Sequence, residues 1–353
     1  LIQARKPIYN FAIGRYIKAL EIKVCKNDRR KEQFDFAKKM DQYKLAEAIE
    51  TKLRRFKNPI IIEADHSEFD AHVTKELLKL EHWFYKQNYK HLESKQKEEL
   101  ARLLSKQLRN KCRSRCGITY KINGTRASGD MNTGFGNCLI NIAIIKEVMN
   151  KHAKKFEIIV NGDDSLIIVE KQTLNYNQIT KDFRKYNMET KIGNITSDIK
   201  QAGFCQLYMR EDDSGIKMMM NDPKRMMQRL GSTHKIKQIP CYQSYLYDVF
   251  DCYQKLYNNV AYFRTEFEKA KEKLTPCSKH IGKLQIYDPE LYNTKQLEKP
   301  NDRRNIINYN NQPFDIKFEI KNVPKVCKLY LEQNINKPKF MVDHSNQSLT
   351  MMY

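Results

Sequence analysis

"FEIIVNGDDSLIIVE", residues 156–170, decides how this chain folds. Two apolar runs rich in β-branched residues flank Asn161-Gly162, whose glycine permits a tight turn, so the stretch reads as two strands with Asp163 and Asp164 at their junction. Asn, Gly and Asp are common turn residues, and on composition alone an ordinary Asp-rich turn fits equally well. Two adjacent carboxylates repel each other, though, and call for a compensating cation. The surrounding chain has 64 Lys and Arg against 42 Asp and Glu, a net charge of +22.

That excess predicts a polyanionic partner, most simply nucleic acid, although a lysine-rich surface can also reflect composition. The 353 residues, 41% hydrophobic and 30% charged, suit a soluble chain with a sizeable core and more than one lobe. No run approaches the roughly 20 apolar residues of a membrane span, and no signal peptide is expected ahead of Leu1. With no initiator Met, the chain is expected to be a piece of something longer. Nine cysteines form no framework. "CRSRC" (112–116) lacks the partners of a zinc site, so reduced thiols are expected.

Outward from the acid turn, residues 1–58 are basic and helical in pattern, with "KLAEAIETKLRRF" (44–56) the clearest amphipathic stretch. Pro59 opens the buried-strand run "IIIEAD", and residues 71–108 read as two successive helices. A hairpin is expected to turn at Asn123-Gly124. "NCLINIAIIKEVMNKH" is a strong helix, and residues 177–210 read as another helix and strand. Beyond residue 223 the segments are helical, and residues 285–340 show weak periodicity.

"IIIEADHSEFDAHV" (60–73) holds a second acid motif. Asp65 ends a strand and Asp70 follows at a helix entry, where it could serve as an N-cap. If the strands are neighbours, Asp65 and Asp163 converge, and carboxylates bridging two Mg²⁺ ions suit phosphoryl transfer. His66 and His72 flank these acids as expected surface residues, and Trp83 reads as helix packing. In "GTRASGDMNTGFGNCLIN" (124–141), Ser128, Gly129, Thr133, Gly134 and Asn137 form a small-residue loop entering a helix, suited to a sugar-phosphate backbone.

"EADHSEFD", "SGDMNTGFGNCLIN" and "NGDDSLII", in this order, resemble the palm motifs of RNA-dependent RNA polymerases of positive-strand RNA viruses, most closely the tombusvirus-like group. "LIQARKPIYNFAIGRYIKALE" resembles that group's basic fingers motif, and "AGFCQ" with "NDPKRM" its palm–thumb junction. The resemblance covers roughly residues 1–230. It implies an α+β right-hand fold: partial fingers at 1–58, palm at 59–77 and 115–222, a helical insertion at 78–114, and a mostly helical thumb with the C-terminal segment at 223–353. An antiparallel palm sheet backed by helices would carry the site.

The resemblance further implies that Asp65 and Asp163 are metal ligands for Mg²⁺ (or Mn²⁺), with Asp164 beside them. Asp70 would sense the ribose 2′-hydroxyl with Asn137 as its partner, while Ser128, Gly129 and Thr133 lie near the nucleotide. Thr133 stands five and Asn137 nine positions after Ser128, as the family pattern expects. Arg5 matches the arginine that holds the triphosphate, with Arg15 and Lys18 extending the basic lining. Lys191 in "METKIGN" is the candidate general acid for pyrophosphate departure. Phe204 and Gln206 match a priming-strand motif, Lys224 and Arg225 would hold product phosphates, and Cys205 reads as packing. Implied partners are RNA template and product, NTPs and other viral replication proteins, at membrane-associated sites in the host cytoplasm. A reverse transcriptase and a non-catalytic RNA-binding remnant are the rivals; Asp70 counts against the first and the intact acids against the second.

Overall fold

The β-branched runs around the acid turn form strands. The computed structural model describes residues 5–113, 119–230 and 242–276, with the two-residue strands Phe314–Asp315 and Lys339–Phe340. β4 (Phe156–Asn161) and β5 (Asp164–Glu170) pair antiparallel, Asn161 opposite Asp164. β5 pairs antiparallel with β1 (Pro59–His66), Ala64 opposite Ser165, and β1 pairs with β6 (Thr190–Thr196), giving the order β4-β5-β1-β6. Residues 35–37 flank the outer edge of β4, where the Ala37 N–H donates to the Val160 carbonyl (3.0 Å) and the Val160 N–H to that of Asp35 (2.9 Å).

Strand periodicity separates the two faces of this sheet. Ile62 and Ala64 of β1, Ile167 and Val169 of β5, and Ile158 and Val160 of β4 point into the main core. Asp65 and Asp164, one step beyond the Ala64–Ser165 pair, fall on the opposite face at one end of neighbouring strands. Gly162 turns the chain from β4 into β5 with φ +72°.

Helices supply the other layer. α1 (Pro7–Arg30) begins with a proline, whose missing N–H costs nothing at a first helical position. α2 (Gln42–Leu53), the short α3 (Phe69–His72), α4 (Lys75–Asn88) and α5 (Ser94–Ser105) precede β2 (Arg109–Arg113) and β3 (Thr119–Asn123). α6 (Thr133–Met149) is buried almost all round and packs on β4 and on α7 (Tyr176–Arg184).

Two sequence expectations change here. β2 pairs with β3, so the hairpin connection falls at 114–118, outside the described residues, and Asn123-Gly124 ends β3 instead. Long-range backbone bonds override that local turn signal: the N–H groups of Gly124, Thr125 and Arg126 donate to the carbonyls of Leu108, Val73 and Asp70. Nor is His66 a surface residue. It is 2% exposed, and burial pushes its pKa down to about 4, leaving it neutral. His72 is half-buried.

His66 belongs to a buried polar chain joining β1, α6 and the acid turn. The Asn141 amide donates to the carbonyls of Gly162 (3.1 Å) and Asp163 (3.0 Å), so its Oδ1 must accept, from His66 Nε2–H at 3.0 Å. That fixes the tautomer, and His66 Nδ1 accepts from the Thr190 hydroxyl at 2.9 Å. A second buried network centres on Asp35. Lys52, fully buried, lies 3.0 Å from Asp35 and 3.0 Å from Glu157, and Lys146 lies 2.6 Å from Asp35. Burial would raise the Asp35 pKa, but Lys146 and Lys52 outweigh it and hold it below the usual carboxylate range. Asp28 accepts the N–H groups of Asp35 (3.2 Å) and Phe36 (3.1 Å). Burial first, and then the Asp35 charge, push it up to about 7.

Among the described residues, positions 5–39, 48–113 and 119–205 belong to one compact unit, and 40–47 with 206–230 and 242–276 to another. In the second, β8 (Leu207–Glu211) and β9 (Lys217–Asn221), which follow the two-residue β7 (Gly203–Phe204) of the first unit, form an antiparallel hairpin. α8 (Pro223–Arg229), α9 (Tyr242–Leu256) and α10 (Ala261–Glu272) bear out the expected helical character, packing Met218, Met226, Tyr253 and Phe267 into one core. The segment 285–340 lies, apart from its two short strands, outside the described residues. Cys25, Cys112, Cys138, Cys205 and Cys252 are free thiols, and no described helix is long and apolar enough to cross a membrane.

Replacing Asn141 with Ala strips partners from His66 and two buried carbonyls. An unfolding loss of about 2–4 kcal/mol is expected by chemical denaturation. Folded Asp28 binds its proton more tightly than the unfolded chain between the ordinary 3.8 and about 7, so its contribution to stability falls as pH rises through that window. The stability of wild type minus Asp28→Asn should therefore shrink from pH 5 to pH 8, measured by urea unfolding at each.

Candidate active site

Three strand ends and one short helix bring the acids together. Asp65 is exposed at the end of β1, Asp163 sits on the turn, and Asp164 starts β5 half-buried. Although Asp163 reaches solvent, the protein packed around it raises its pKa, and the charges of Asp70 and Asp65 add to the rise. Burial and then Asp163 push Asp164 up to about 6, with Asp65 contributing and a hydrogen bond to Cys205 opposing. Asp163 therefore feels the charges of Asp70 and Asp65, and Asp164 those of Asp163 and Asp65. Among the described residues, no ion pair neutralises Asp65, Asp163 or Asp164.

Asp70 is held at both oxygens. The Asn137 amide donates to Oδ1 at 2.8 Å, and the Ser128 hydroxyl donates to Oδ2. The N-cap of α3 is Glu68, so the Asp70 carboxylate is not spent on capping. Thr133 starts α6 with its hydroxyl 3.0 Å from the Ala127 carbonyl and 2.9 Å from that of Asp130, which braces the loop. The Gly129 carbonyl accepts from Asn10 at 2.9 Å. The structure thus joins Asp70, Ser128 and Asn137 directly, while Thr133 braces the loop that carries Ser128.

The basic residues are distributed differently. Arg5 pairs with Asp130 of the same loop and lies over the Tyr9 ring. Arg15 pairs with Glu99 of α5 and lies over Tyr16, which does not bring it to the acids. Lys18 pairs with Glu21 at 2.9 Å. Lys191 is exposed and directly opposite Asp65 in the β1–β6 register, so the two share a face. Phe204 is buried, which makes its ring a packing group and not an open surface for RNA. Cys205 packs beside Asp164 and accepts from Asn161 at 3.3 Å. Gln206, Lys224 and Arg225 belong to the second compact unit, where Gln206 and Lys224 are exposed.

Several residues around the site escape a sequence reading. Arg126 and Glu81 form a fully buried ion pair, and Arg126 Nε donates to Asn137 Oδ1 at 3.0 Å. Asn141 and His66 hold the acid turn from below. One signal was available for Glu81 and Asn141: each is a polar residue within the apolar stripe of its helix. Lys38 is another, its Nζ lying 2.7 Å from where a Cβ on Gly134 would stand.

Among the described residues, no three His, Cys, Asp or Glu side chains form a ready-made metal cage. The donor chemistry nevertheless suits a hard divalent cation, since Asp65, Asp163 and Asp164 offer carboxylate oxygens that no direct ion pair among the described residues neutralises.

Comparison with known proteins gives this geometry its context. Residues 1–287 match the family described as viral RNA dependent RNA polymerase. The RNA-directed RNA polymerase of Tobacco necrosis virus (strain D) is 31% identical over 244 residues, 67% of this chain and 33% of the relative. That of Tomato bushy stunt virus (strain Cherry) is 30% identical over 246 residues, 68% of this chain and 30% of the relative. The chain thus spans about a third of the length of these curated relatives. Sequence motifs, antiparallel sheet and acid cluster agree with the match, and the chain belongs to the viral RNA-dependent RNA polymerase family.

Proposed function

We propose that this chain forms the catalytic part of an RNA-directed RNA polymerase, in which an RNA 3′-hydroxyl attacks the α-phosphate of a templated NTP and pyrophosphate leaves. The observation that carries this reading is the placement of Asp65, Asp163 and Asp164 at one end of the antiparallel sheet, with Asp70, whose charge reaches Asp163, gripped by Asn137 and Ser128. In this reading the four-stranded sheet is the palm, the helices of residues 5–58 are partial fingers, and the helices after residue 223 are the thumb.

Asp65, Asp163 and Asp164 would hold divalent Mg²⁺, whose chemistry is to acidify the attacking hydroxyl and neutralise the triphosphate. The protein's own contributions are positional and electrostatic. Asp70 still has free lone pairs on oxygens fixed by Asn137 and Ser128, and it accepts the ribose 2′-hydroxyl. Lys191, across from Asp65, gives its proton to the departing pyrophosphate. Arg5 reaches the triphosphate by exchanging the Asp130 carboxylate for phosphate oxygens, which suits its forked donors. The net charge of +22 attracts template and product. The template, the NTPs and other viral replication proteins are the proposed partners, at membrane-associated sites of the host cytoplasm.

Primer extension on a homopolymer template with Mg²⁺ tests the reading. Asp163→Asn should lower the rate by at least about 100-fold while RNA binding persists. Equal rates in the two proteins, or RNA binding with no extension in either, would favour a non-catalytic module. Asp70→Ala should reduce the preference for NTP over dNTP by roughly 10- to 100-fold, the worth of a hydrogen bond to a charged group. Unchanged discrimination would remove Asp70 from that role.

A further inference from the structure

We infer that the buried Glu81–Arg126 pair is the positioning element that sets the ribose gauge, by fixing which way the Asn137 amide faces. The inference rests on the polymerase reading and deepens it. Both side chains of the pair are fully buried. The Arg126 guanidinium spends its outer nitrogens on Glu81 and turns Nε to Asn137 Oδ1 at 3.0 Å. Its backbone N–H donates to the Asp70 carbonyl at 2.8 Å, so one residue grips both sides of the gauge.

The chemistry of the groups leaves a single satisfied arrangement. A guanidinium only donates and a carboxylate only accepts. Asn137, standing between them, must give Oδ1 to Arg126 and Nδ2–H to Asp70. Without the guanidinium, the amide is free to rotate and bring its oxygen against the Asp70 carboxylate. Arg126 is itself held, because Glu81 also accepts from Tyr85 (2.6 Å) and Asn132 (2.5 Å).

Two further points argue against a purely structural pair. Buried ion pairs are often no more stabilising than well-packed apolar residues of similar volume, so stability alone is a weak reason for one here. The helix also makes room for it: a Cβ on Gly136, next to Asn137, would stand 2.2 Å from Glu81 Oε1 and 2.6 Å from Arg126 Nη2.

The test measures kcat/KM for ATP and for 2′-dATP in wild type, Arg126→Lys, Asn137→Ala and the double variant. Lysine keeps a cation opposite Glu81 but lacks the Nε donor. Arg126→Lys should lower the ATP/dATP ratio about tenfold and have no further effect in the Asn137→Ala background. An unchanged ratio, or effects that multiply in the double variant, would overturn the inference, since a general structural role does not act through Asn137. If circular dichroism shows that Arg126→Lys does not fold, Glu81→Gln takes its place, with the same fall supporting the inference and an unchanged ratio overturning it. Absence of templated extension by wild type would defeat the polymerase reading itself. Equilibrium binding of ATP and 2′-dATP to the same proteins then decides the positioning role separately: the same pattern in the affinity ratio supports it, and equal ratios refute it.

Discussion

The antiparallel register between β1 and β5 is the constraint on which the site depends. Placing Ala64 opposite Ser165 carries Asp65 and Asp164 to one end and one face of the sheet, with Asp163 on the adjoining turn. A slip of one residue would send Asp65 into the apolar layer and Ala64 out of it. Six apolar side chains from three strands are fitted into the core face, and Ile61, Ile159, Leu166 and Ile168 are buried on the other, so a slip would have to re-seat close-packed groups on both faces. The hydrophobic layer thus sets the position of charges it never touches.

On the polar side, the arrangement works by exclusion of alternatives. The acid turn hangs from Asn141, whose own orientation is settled by the two carbonyls it donates to, and which in turn sets the tautomer of a histidine kept neutral through burial. Asp70 hangs from Asn137, whose orientation is settled by a guanidinium. In each case an amide that could face either way is given one donor side and one acceptor side. Both amides are on α6, at positions 137 and 141, one helical turn apart on the same face.

The strands and long helices are legible in the sequence because their signals are local. The β-branched runs at 60–62 and 158–160, and the apolar stripe of α4, declare themselves within a few residues. The acids are legible through motif order, which places Asp65, Asp70 and Asp163 without any coordinates. What stays hidden depends on distant partners. Asn123-Gly124 carries the local mark of a hairpin turn, but contacts to Leu108, Val73 and Asp70 settle the backbone there. His66 lies between two polar neighbours, Asp65 and Ser67, and its burial follows from α6 and β6 packing against it. Arg126 is one of 64 basic residues, and only its partners distinguish it from the rest. Arg5 and Arg15 teach the converse: a basic residue in the expected motif still faces competition from nearby carboxylates for its donors.

The short run at residues 35–37 has a consequence for how the molecule meets its own copies. By bonding to Val160, it caps the outer margin of the strand that leads into the acid turn. An unprotected margin there would template the addition of a foreign strand beside the carboxylates. Because Asp35 is anchored to two lysines, the ionic cluster that ties α2 to α6 also holds that cap in place, so the backbone groups of Val160 are already paired within the chain.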